Sequence, residues 1–267
     1  MYKWDAEDYQ KSSSAQQRWA QELIIKLKLN GNERILDVGC GDGKITAEIS
    51  SYLSNGFILG IDSSSEMIEL AKKTFPSQDY HNLDFKIMDF RDIDFENEFD
   101  LVFSNAALHW VKDQLPVLER IEESLKTDGY LLIQQGGRGN GKEILDEADE
   151  LIDEEKWQPY FKNFQFPFGF YDPEEYNKWI KKANLKPVRA ELLPRIMTYK
   201  DLESFKGWIR TTWLPYTQRV PENLREEFID AIAARYLEKY PNWEKDGINI
   251  DMVRLEVEAK KNIKNFS

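Results

Sequence analysis

Short apolar runs alternate with longer amphipathic stretches through the first 135 residues of the chain. The apolar runs have the length and composition of buried strands, and the stretches between them carry apolar residues at helical spacing. This alternation predicts a parallel sheet covered by helices on both faces. The predicted strands are 34–38, 57–61, 85–88, 99–103 and 130–134, and the predicted helices are 14–29, 44–53, 64–74 and 115–125.

The second half of the 267-residue chain is richer in Trp, Phe, Tyr and Pro and mostly helical in pattern. A helix at 173–183 and two late strands, at 188–196 and 252–259, interrupt it. We therefore expect an α/β fold: a doubly wound, Rossmann-like, seven-stranded, mostly parallel sheet with an antiparallel late strand and an aromatic-rich helical cap. The predicted division is a cofactor-binding core at 1–135, a cap over the acceptor site at 136–172 and 199–245, and returns to the core sheet at 173–198 and 246–267.

Composition and charge disfavour several classes of protein. A formal net charge of -12 repels nucleic acid backbones and anionic lipids, so we expect neither a nucleic acid nor a membrane partner. The absence of a long apolar run and of a signal peptide predicts a soluble chain, and a single cysteine, Cys40, suits the cytoplasm. With two histidines in the whole chain no metal site is expected. The chain is expected to act as a monomer or homodimer.

Three glycines lie between the strand at 34–38 and the helix that follows it. Gly39, Gly41 and Gly43 permit a tight turn and let a ligand approach the backbone closely. Asp62 follows the next strand, about 20 residues further on, where an acid can bind both hydroxyls of a ribose. The pattern predicts a nucleotide-type ligand; the plain alternative is a turn that only joins a strand to a helix.

The spacing and charge of this turn separate the candidate ligands. A dinucleotide site needs G-x-G-x-x-G and a P-loop needs Gly-Lys-Ser/Thr, but the chain has Gly39-Cys40-Gly41-Asp42-Gly43-Lys44-Ile45. Asp42 would oppose a phosphate. Together with Asp37 and Asp62 it favours a ligand that carries positive charge, such as a sulfonium and an ammonium group.

The stretch Asp37–Gly43 resembles the first motif of the class I S-adenosylmethionine-dependent methyltransferases, and the resemblance covers about residues 10–135. It implies S-adenosyl-L-methionine as cofactor and S-adenosyl-L-homocysteine as product. The turn would wrap the methionine part, Asp62 the ribose, and Asp89 the adenine amino group. The residues that the resemblance assigns to the cofactor are Tyr9, Lys11, Asp37, Gly39, Cys40, Gly41, Asp62, Ser63, Met67, Met88, Asp89, Phe90 and Asn105.

Two further segments, 9–18 and 104–110, resemble the branch that holds trans-aconitate and juvenile hormone acid methyltransferases, which methylate carboxylates of small molecules. This resemblance implies that Gln16 and Trp110 face the acceptor carboxylate, and His109 joins them as a candidate catalytic residue. Each has a structural alternative: Trp110 as packing for the helix that follows, Gln16 as part of a helix that only covers the surface, and His109 as a core or surface histidine. The candidate carboxylate clamps, which could equally be solvated charges, are Arg138, Arg210 and Arg219.

A sulfonium methyl is already activated, and a carboxylic acid with a pKa of about 4 is ionised at neutral pH. Transfer to a small-molecule carboxylic acid therefore needs orientation and water exclusion rather than a general base. A C-, N- or hydroxyl-directed methyltransferase would need a base, and His109 would then matter. A non-enzymatic module that only binds the cofactor is a third reading, and the charge disfavours a methyltransferase acting on nucleic acid.

Overall fold

The computed structural model of the protein describes residues 14–240 and 243–262. The described strands are β1 (Arg34–Val38), β2 (Phe57–Asp62), β3 (Leu83–Ile87), β4 (Phe99–Asn105), β5 (Leu125–Gly136), β6 (Leu185–Tyr199) and β7 (Ile248–Lys261). The described α-helices are α1 (Ser14–Ile24), α2 (Lys44–Ser50), α3 (Ser65–Thr74), α4 (Leu115–Ser124), α5 (Lys142–Ile152), α6 (Pro173–Lys182), α7 (Leu202–Thr212), α8 (Leu214–Thr217), α9 (Glu222–Lys239) and α10 (Trp243–Asp246).

The seven strands form one sheet in the order β3-β2-β1-β4-β5-β7-β6. β1 pairs in parallel with both β2 and β4, β4 pairs in parallel with β5, and β7 runs antiparallel to β5. The predicted doubly wound sheet, completed by late strands with antiparallel pairing, is confirmed. The strand order reverses between β1 and β4, and ligands of such sheets bind at the carboxyl ends of the strands at that point.

Side-chain alternation along β1 explains why the sheet has a core on each face. Ile35 belongs to one apolar cluster, while Leu36 and Val38 belong to the other, and all three are fully buried. Successive side chains of a strand point to opposite faces, so a strand covered on both faces becomes a continuous apolar run. α4 covers the face of Leu36 through residues such as Val117.

The observed elements differ from the predicted ones mainly at their ends. The first helix ends at Ile24, not at residue 29, although its apolar spacing continues to Leu27. Leu27 is buried in the same cluster, but the chain reaches it by a turn in which its N–H donates to the carbonyl of Ile24. The third strand begins at Leu83 and ends at Ile87, so Met88 lies just beyond it rather than within it.

The described residues form two compact units. One unit contains 16–138, 168–193 and the chain from 254 onward, and it holds β1 to β5 with α2, α3, α4 and α6. The other contains 139–167 and 194–253, and it holds α5 and α7 to α10. None of the described helices is long and apolar enough to cross a lipid bilayer. The predicted role of the aromatic helical segments as a cap stays a prediction.

The aromatic residues of the second unit form its own core. Trp208 is fully buried and packs against Phe205, Trp213 and Tyr199, with ring centroids 5.5–6.0 Å apart. The aromatic content noted in the sequence therefore goes largely into stabilising this helical unit, because large buried rings contribute strongly to packing.

Candidate active site

The glycine turn after β1 lies against the carboxyl end of β2. The backbone N–H groups of Gly39 and Cys40 both donate to the carbonyl oxygen of Ile61, at 2.8 and 3.0 Å. The N–H of Gly41 donates to Asp62 Oδ2 at 3.1 Å. The motif and the downstream acid, 21 residues apart in sequence, thus form one hydrogen-bonded structure.

The glycines of this turn are required for different reasons. Gly39 has φ 78°, and a Cβ atom there would lie 2.1 Å from the Cβ of Ala107, so the loop after β4 approaches too closely for any side chain. Gly41 has φ 55°, but a Cβ atom there would meet no described atom within 4 Å. The turn is therefore closed against Ala107 at Gly39 and opens beside Asp62 at Gly41, where a ligand has room to lie against the backbone.

Asp62 organises the edge of the site. Its Oδ1 atom accepts the N–H of Ser64 at 2.9 Å, and its carbonyl oxygen accepts the N–H of Met88 at 2.9 Å. Ser64 in turn caps α3 by accepting the N–H of Met67 at 3.2 Å. Burial raises the pKa of Asp62 even though these N–H donors oppose the shift, and the charge of Asp89 raises it further. Asp62, Ser63, Met67 and Met88 are thereby brought together.

Asp37 lies beneath the turn and is 2% exposed. Its Oδ2 atom accepts the hydroxyl of Thr46 in α2 at 2.7 Å. Burial raises the pKa of Asp37 to about 7, against the opposing bond from Thr46 and with a further contribution from the charge of Asp62. Carboxylates whose pKa values are raised by desolvation and by one another make a region that attracts a cation.

Two other residues of the turn have local partners. Asp42, which the sequence suggested as a further acid for a cationic ligand, is paired with Lys44 Nζ at 3.1 Å, so that its charge is largely offset. Cys40 is 8% exposed, and a Cβ atom on Gly60 would lie 2.9 Å from its Sγ atom. Burial, followed by the charge of Asp37, raises the pKa of the Cys40 thiol, so the thiol stays protonated and acts as a packing group.

Asp89 follows β3 and caps a short 3₁₀ turn, Phe90–Asp92. Its Oδ1 atom accepts the backbone N–H of Arg91 at 2.9 Å and Arg91 Nε at 2.8 Å, while its Oδ2 atom accepts Arg91 Nη2 at 2.6 Å. These bonds hold the pKa of Asp89 below its ordinary value. Met88 and Phe90 on either side are partly buried and pack against the core.

The end of β4 supplies the neighbouring wall. Ser104 is fully buried and donates its hydroxyl to the carbonyl oxygen of Val38 at 2.7 Å, joining β4 to β1. Ala106 has φ 57° and donates its N–H to the carbonyl oxygen of Gln134. Asn105 lies between them, and its buried Oδ1 atom has no hydrogen-bond partner among the described residues. Since buried polar atoms are normally paired, this oxygen is available to a donor on a ligand.

An aromatic cluster follows directly, formed by His109, Trp110, Phe168 and Phe170. The ring centroids of Trp110 and Phe168 are 4.3 Å apart, and those of His109 lie 5.3 Å from Phe168 and 5.8 Å from Phe170. The backbone adds a bond from the N–H of Gly169 to the carbonyl oxygen of His109 at 2.8 Å. We call this group the aromatic cluster below.

His109 is partly exposed as a residue, but its Nδ1 atom is buried and has no hydrogen-bond partner among the described residues. Burial lowers its pKa to about 3, and the positive charge of Arg254 contributes to the shift. Arg254, on β7, is 4% exposed, and its guanidinium lies 5.4 Å from the ring centroid of Trp19. His109 is therefore neutral at physiological pH and is a poor proton acceptor.

The remaining predicted residues either lie outside the described part of the chain or pair with other groups of the protein. Gln16 lies in α1, but its side chain is not among the described ones, and Tyr9 and Lys11 lie outside the described residues. Arg138 pairs with Asp172 and Glu175 at the start of α6, and Arg219 donates to the carbonyl oxygens of Tyr160 and Lys162. Arg210 pairs with Glu226 and Glu203. All three arginines thus have partners within the protein.

The sequence did not point to Arg254, Phe168 or Phe170 as neighbours of His109. The only available signal for Arg254 was a charged residue at a predicted strand position, and its burial depends on pairing with β5 that the sequence does not encode locally. Phe168 and Phe170 lay in a stretch assigned to the cap, whereas they belong to the unit of the sheet.

The fold and the acidic, glycine-lined edge define a methyltransferase of the Rossmann-like type. Residues 29–184, more than half of the chain, match the family described as a methyltransferase domain, and the chain belongs to that family. Relatives include the trans-aconitate 2-methyltransferase of Rhizobium etli, 26% identical over 97% of this chain and 99% of that one. The juvenile hormone acid O-methyltransferase of Bombyx mori is 27% identical over 85% of this chain and 84% of that one.

Among solved structures, the chain is similar to a phosphoethanolamine N-methyltransferase of Haemonchus contortus in complex with phosphomonomethylethanolamine and S-adenosylhomocysteine. The TM-score is 0.61 at 20% identity, over 97% of this chain and 57% of that one. The protein is a methyltransferase that uses S-adenosylmethionine. The residues present fit that cofactor, because the opening at Gly41, the acids around Asp62 and the Asn105 oxygen that has no partner among the described residues suit a ligand with hydroxyl, ammonium and sulfonium groups.

Proposed function

We propose that this methyltransferase transfers a methyl group to the carboxylate of a small organic acid. Two relatives that align with most of the chain carry names that describe transfer to acid substrates, trans-aconitate and juvenile hormone acid. The acidic net charge of -12 requires that such an acceptor meet a local positive or hydrogen-bonding environment.

The observation that carries this proposal is the state of His109. The residue lies among the rings of the aromatic cluster, and its pKa is lowered to about 3. An amine or hydroxyl acceptor must lose a proton on transfer, which calls for a base with a pKa near the working pH. A carboxylate acceptor is ionised already, so a neutral imidazole that takes no proton suits it.

On this proposal the described edge of the sheet holds the cofactor. Asp62 binds the ribose hydroxyls, Asp89 the adenine amino group, and the turn at Gly41 the methionine part. When bound, the cofactor supplies an activated methyl group on a sulfonium sulfur, which leaves as a neutral thioether. The acidic residues favour the positively charged form, and Asn105 offers its free oxygen to a donor of the methionine portion.

On this proposal Trp110 and Gln16 orient the acceptor, as the resemblance to carboxyl methyltransferases implies. The indole N–H of Trp110 and the amide of Gln16 donate to the carboxylate oxygen that is not methylated, and the attacking oxygen forms the new C–O bond without any proton transfer. Arg254 supplies positive charge near His109 and attracts the anionic acceptor. The rings of the aromatic cluster exclude water, which strengthens these interactions.

A labelled-methyl assay with a panel of small carboxylic acids tests the proposal. A carboxyl methyl ester is cleaved by mild alkali and releases labelled methanol, whereas an N-methyl, C-methyl or ether product keeps its label. We expect alkali-labile product and a rate that does not rise between pH 6 and 8. Label that resists alkali, together with a rising limb near the pKa of an amine or hydroxyl, would instead identify a C-, N- or hydroxyl-directed enzyme.

Two substitutions test the orienting residues. Gln16→Ala and Trp110→Phe should each lower kcat/KM on the true acceptor by about tenfold, the usual cost of losing a hydrogen bond to a charged group. Trp157→Phe is the matched control, because Trp157 packs against Phe228 within the helical unit. Full activity of both test variants would contradict the assignment. If labelled cofactor is never consumed with any panel member, a non-enzymatic binding module becomes the better explanation.

A further inference from the structure

The Arg91–Asp89 pair restricts how Asp89 can bind a ligand. Two donors of Arg91, its backbone N–H and its Nε, occupy Oδ1, and a third, Nη2, occupies Oδ2. A carboxylate has about four lone-pair positions on its two oxygens. The remaining position is on Oδ2, so the pair leaves Asp89 with a single acceptor position.

The two side chains differ in exposure. The Asp89 side chain is 19% exposed, whereas the Arg91 side chain is 64% exposed. Arg91 therefore covers the carboxylate from the solvent side, and the bidentate geometry fixes the plane of the carboxylate as no single point charge could. The 3₁₀ turn capped by Asp89 holds the backbone of Arg91 in the same arrangement.

An isolated exposed ion pair contributes little to stability, and no stability role is needed here. The consequence of this geometry is chemical: a carboxylate locked with one free lone pair, and kept ionised, can only accept. The remaining acceptor position on Asp89 Oδ2 therefore favours an N–H donor of a ligand. It disfavours a ligand oxygen, because two hydrogen-bond acceptors would then face each other.

We propose that Arg91 is a positioning residue that makes Asp89 selective for the 6-amino group of adenine over a 6-oxo purine. This inference depends on the placement of adenine at Asp89 in the proposed function. Arg91 does not itself touch the cofactor. It fixes the orientation and ionised state of the group that does.

The test compares binding of S-adenosylhomocysteine with that of S-inosylhomocysteine, in which an oxygen replaces the 6-amino group. Calorimetric Kd values give a selectivity ratio without any catalytic turnover. The wild-type protein should prefer the adenosyl form by about tenfold or more, because the inosyl form loses one charged hydrogen bond and gains a repulsive contact. Arg91→Ala should reduce that ratio at least threefold.

Arg91→Lys keeps the positive charge but not the bidentate guanidinium. Its selectivity ratio should therefore lie between those of Arg91→Ala and the wild-type protein. Arg120→Ala is the matched control, since it removes another exposed arginine that pairs with a nearby acid, Glu123, at 3.0 Å. The control should leave both Kd values unchanged. If Arg91→Ala weakens both ligands equally and leaves the ratio intact, Arg91 has only a structural role and the inference is wrong.

Asp89→Ala separates this failure from failure of the proposed cofactor placement. If Asp89→Ala abolishes selectivity but Arg91→Ala does not, adenine lies at Asp89 and the role of Arg91 is refuted. If Asp89→Ala leaves selectivity unchanged, the adenine does not lie at Asp89 and the placement itself fails. A loss of selectivity in both variants, with unchanged melting temperature, supports both statements.

Discussion

The acidic edge at the ends of β1, β2 and β3 and the aromatic cluster around His109 are neighbouring regions held by different forces. At the acidic edge, backbone N–H groups donate to carbonyl and carboxylate oxygens at 2.8–3.1 Å. In the aromatic cluster the contacts are between rings, and the buried Nδ1 atom of His109 has no partner among the described residues. The hydrogen bonds of the acidic edge fix polar groups in place, whereas the rings of the aromatic cluster provide an apolar surface.

This difference matches what the proposed methyl transfer to a carboxylate requires of the cofactor site and of the acceptor site. The cofactor carries charges and hydroxyls that must be held in one orientation, which directional hydrogen bonds achieve. The acceptor oxygen must be stripped of water, which apolar rings achieve. The two regions should therefore respond differently to substitution: the acidic edge through cofactor affinity, and the aromatic cluster through packing rather than titration.

The largest expected effect comes from Asp62→Ala. The variant loses the acceptor for the N–H groups of Gly41 and Ser64 and the proposed bonds to the ribose. The Kd of S-adenosylhomocysteine, measured by calorimetry, should rise on the order of 100-fold or more. Asp84→Ala is the control, because Asp84 is exposed on β3 and accepts the backbone N–H of the neighbouring Phe85. An unchanged Kd for Asp62→Ala would refute the polar role of this edge.

Alanine substitutions at Gly39 and Gly41 distinguish a glycine required for stability from one required for ligand binding, although both lie in the same turn. At Gly39 the new methyl group would overlap Ala107, so Gly39→Ala should lower the unfolding free energy by about 2 kcal/mol or more. At Gly41 the methyl group would meet no atom of the described residues within 4 Å, so Gly41→Ala should cost only the backbone strain of about 1 kcal/mol. Urea denaturation measures both values.

Among the folded proteins, Gly41→Ala should weaken cofactor binding more than Gly39→Ala does, although it lowers the unfolding free energy less. Gly41→Ala places a methyl group in the opening beside Asp62 and should raise the Kd of S-adenosylhomocysteine about tenfold while the protein remains folded. A folded Gly41→Ala variant with wild-type affinity would show that the ligand does not lie against this part of the turn.

The sequence predicted the acidic edge far better than the aromatic cluster. β1 was predicted with its observed bounds, 34–38, and the glycine turn and Asp62 lie together because one contiguous motif and one strand spacing determine them. The aromatic cluster joins His109 to Phe168 and to the electrostatic influence of Arg254. Those contacts depend on tertiary packing between distant segments, and single-sequence periodicity does not encode such packing.

The sequence also did not predict which acidic side chains of the site are paired with a basic residue. Lys44 was visible two residues after Asp42, but whether the two side chains would meet depends on rotamers set by the start of α2. Arg91 likewise follows Asp89 by two residues, and its bidentate hydrogen bonds to the Asp89 carboxylate could be recognised only from the geometry of the 3₁₀ turn. The local sequence thus indicated the cofactor, but the ion pairs that set the charge and orientation of Asp42 and Asp89 could be seen only in the folded structure.

A smaller effect is expected from the pH dependence of Asp37. Its pKa is raised to about 7 in the folded protein from an ordinary value of 3.8, so the folded state holds a proton that the unfolded state has released. Stability from this group is complete below about pH 4 and is lost as the pH rises to about 7. The unfolding free energy of wild type should therefore fall relative to Asp37→Asn by up to about 1.4 kcal/mol per pH unit in this window.

Chemical denaturation of the ligand-free protein at pH 5, 6 and 7 measures the difference. Thr46→Val should raise the folded-state pKa of Asp37 further and extend the decline to higher pH, so that the fall between pH 6 and 7 becomes larger, because the substitution removes the hydroxyl that opposes the shift. Titrating groups that do not interact with Asp37 are common to wild type and Asp37→Asn and cancel in the comparison. A difference that stays constant across the window would show that Asp37 is ionised in the fold.

The smallest effect is expected from His109→Phe. The phenyl ring can keep the contacts with Phe168 and Phe170, and the substitution removes a nitrogen that has no hydrogen-bond partner among the described residues. Since the pKa of His109 is lowered to about 3, the imidazole does not change charge between pH 5 and 8. We expect kcat to change less than about threefold and the pH–rate profile to keep its shape. A drop on the order of 100-fold, with a new pH dependence, would assign His109 a proton-transfer role, and the aromatic cluster would then resemble the acidic edge in acting through a titrating group.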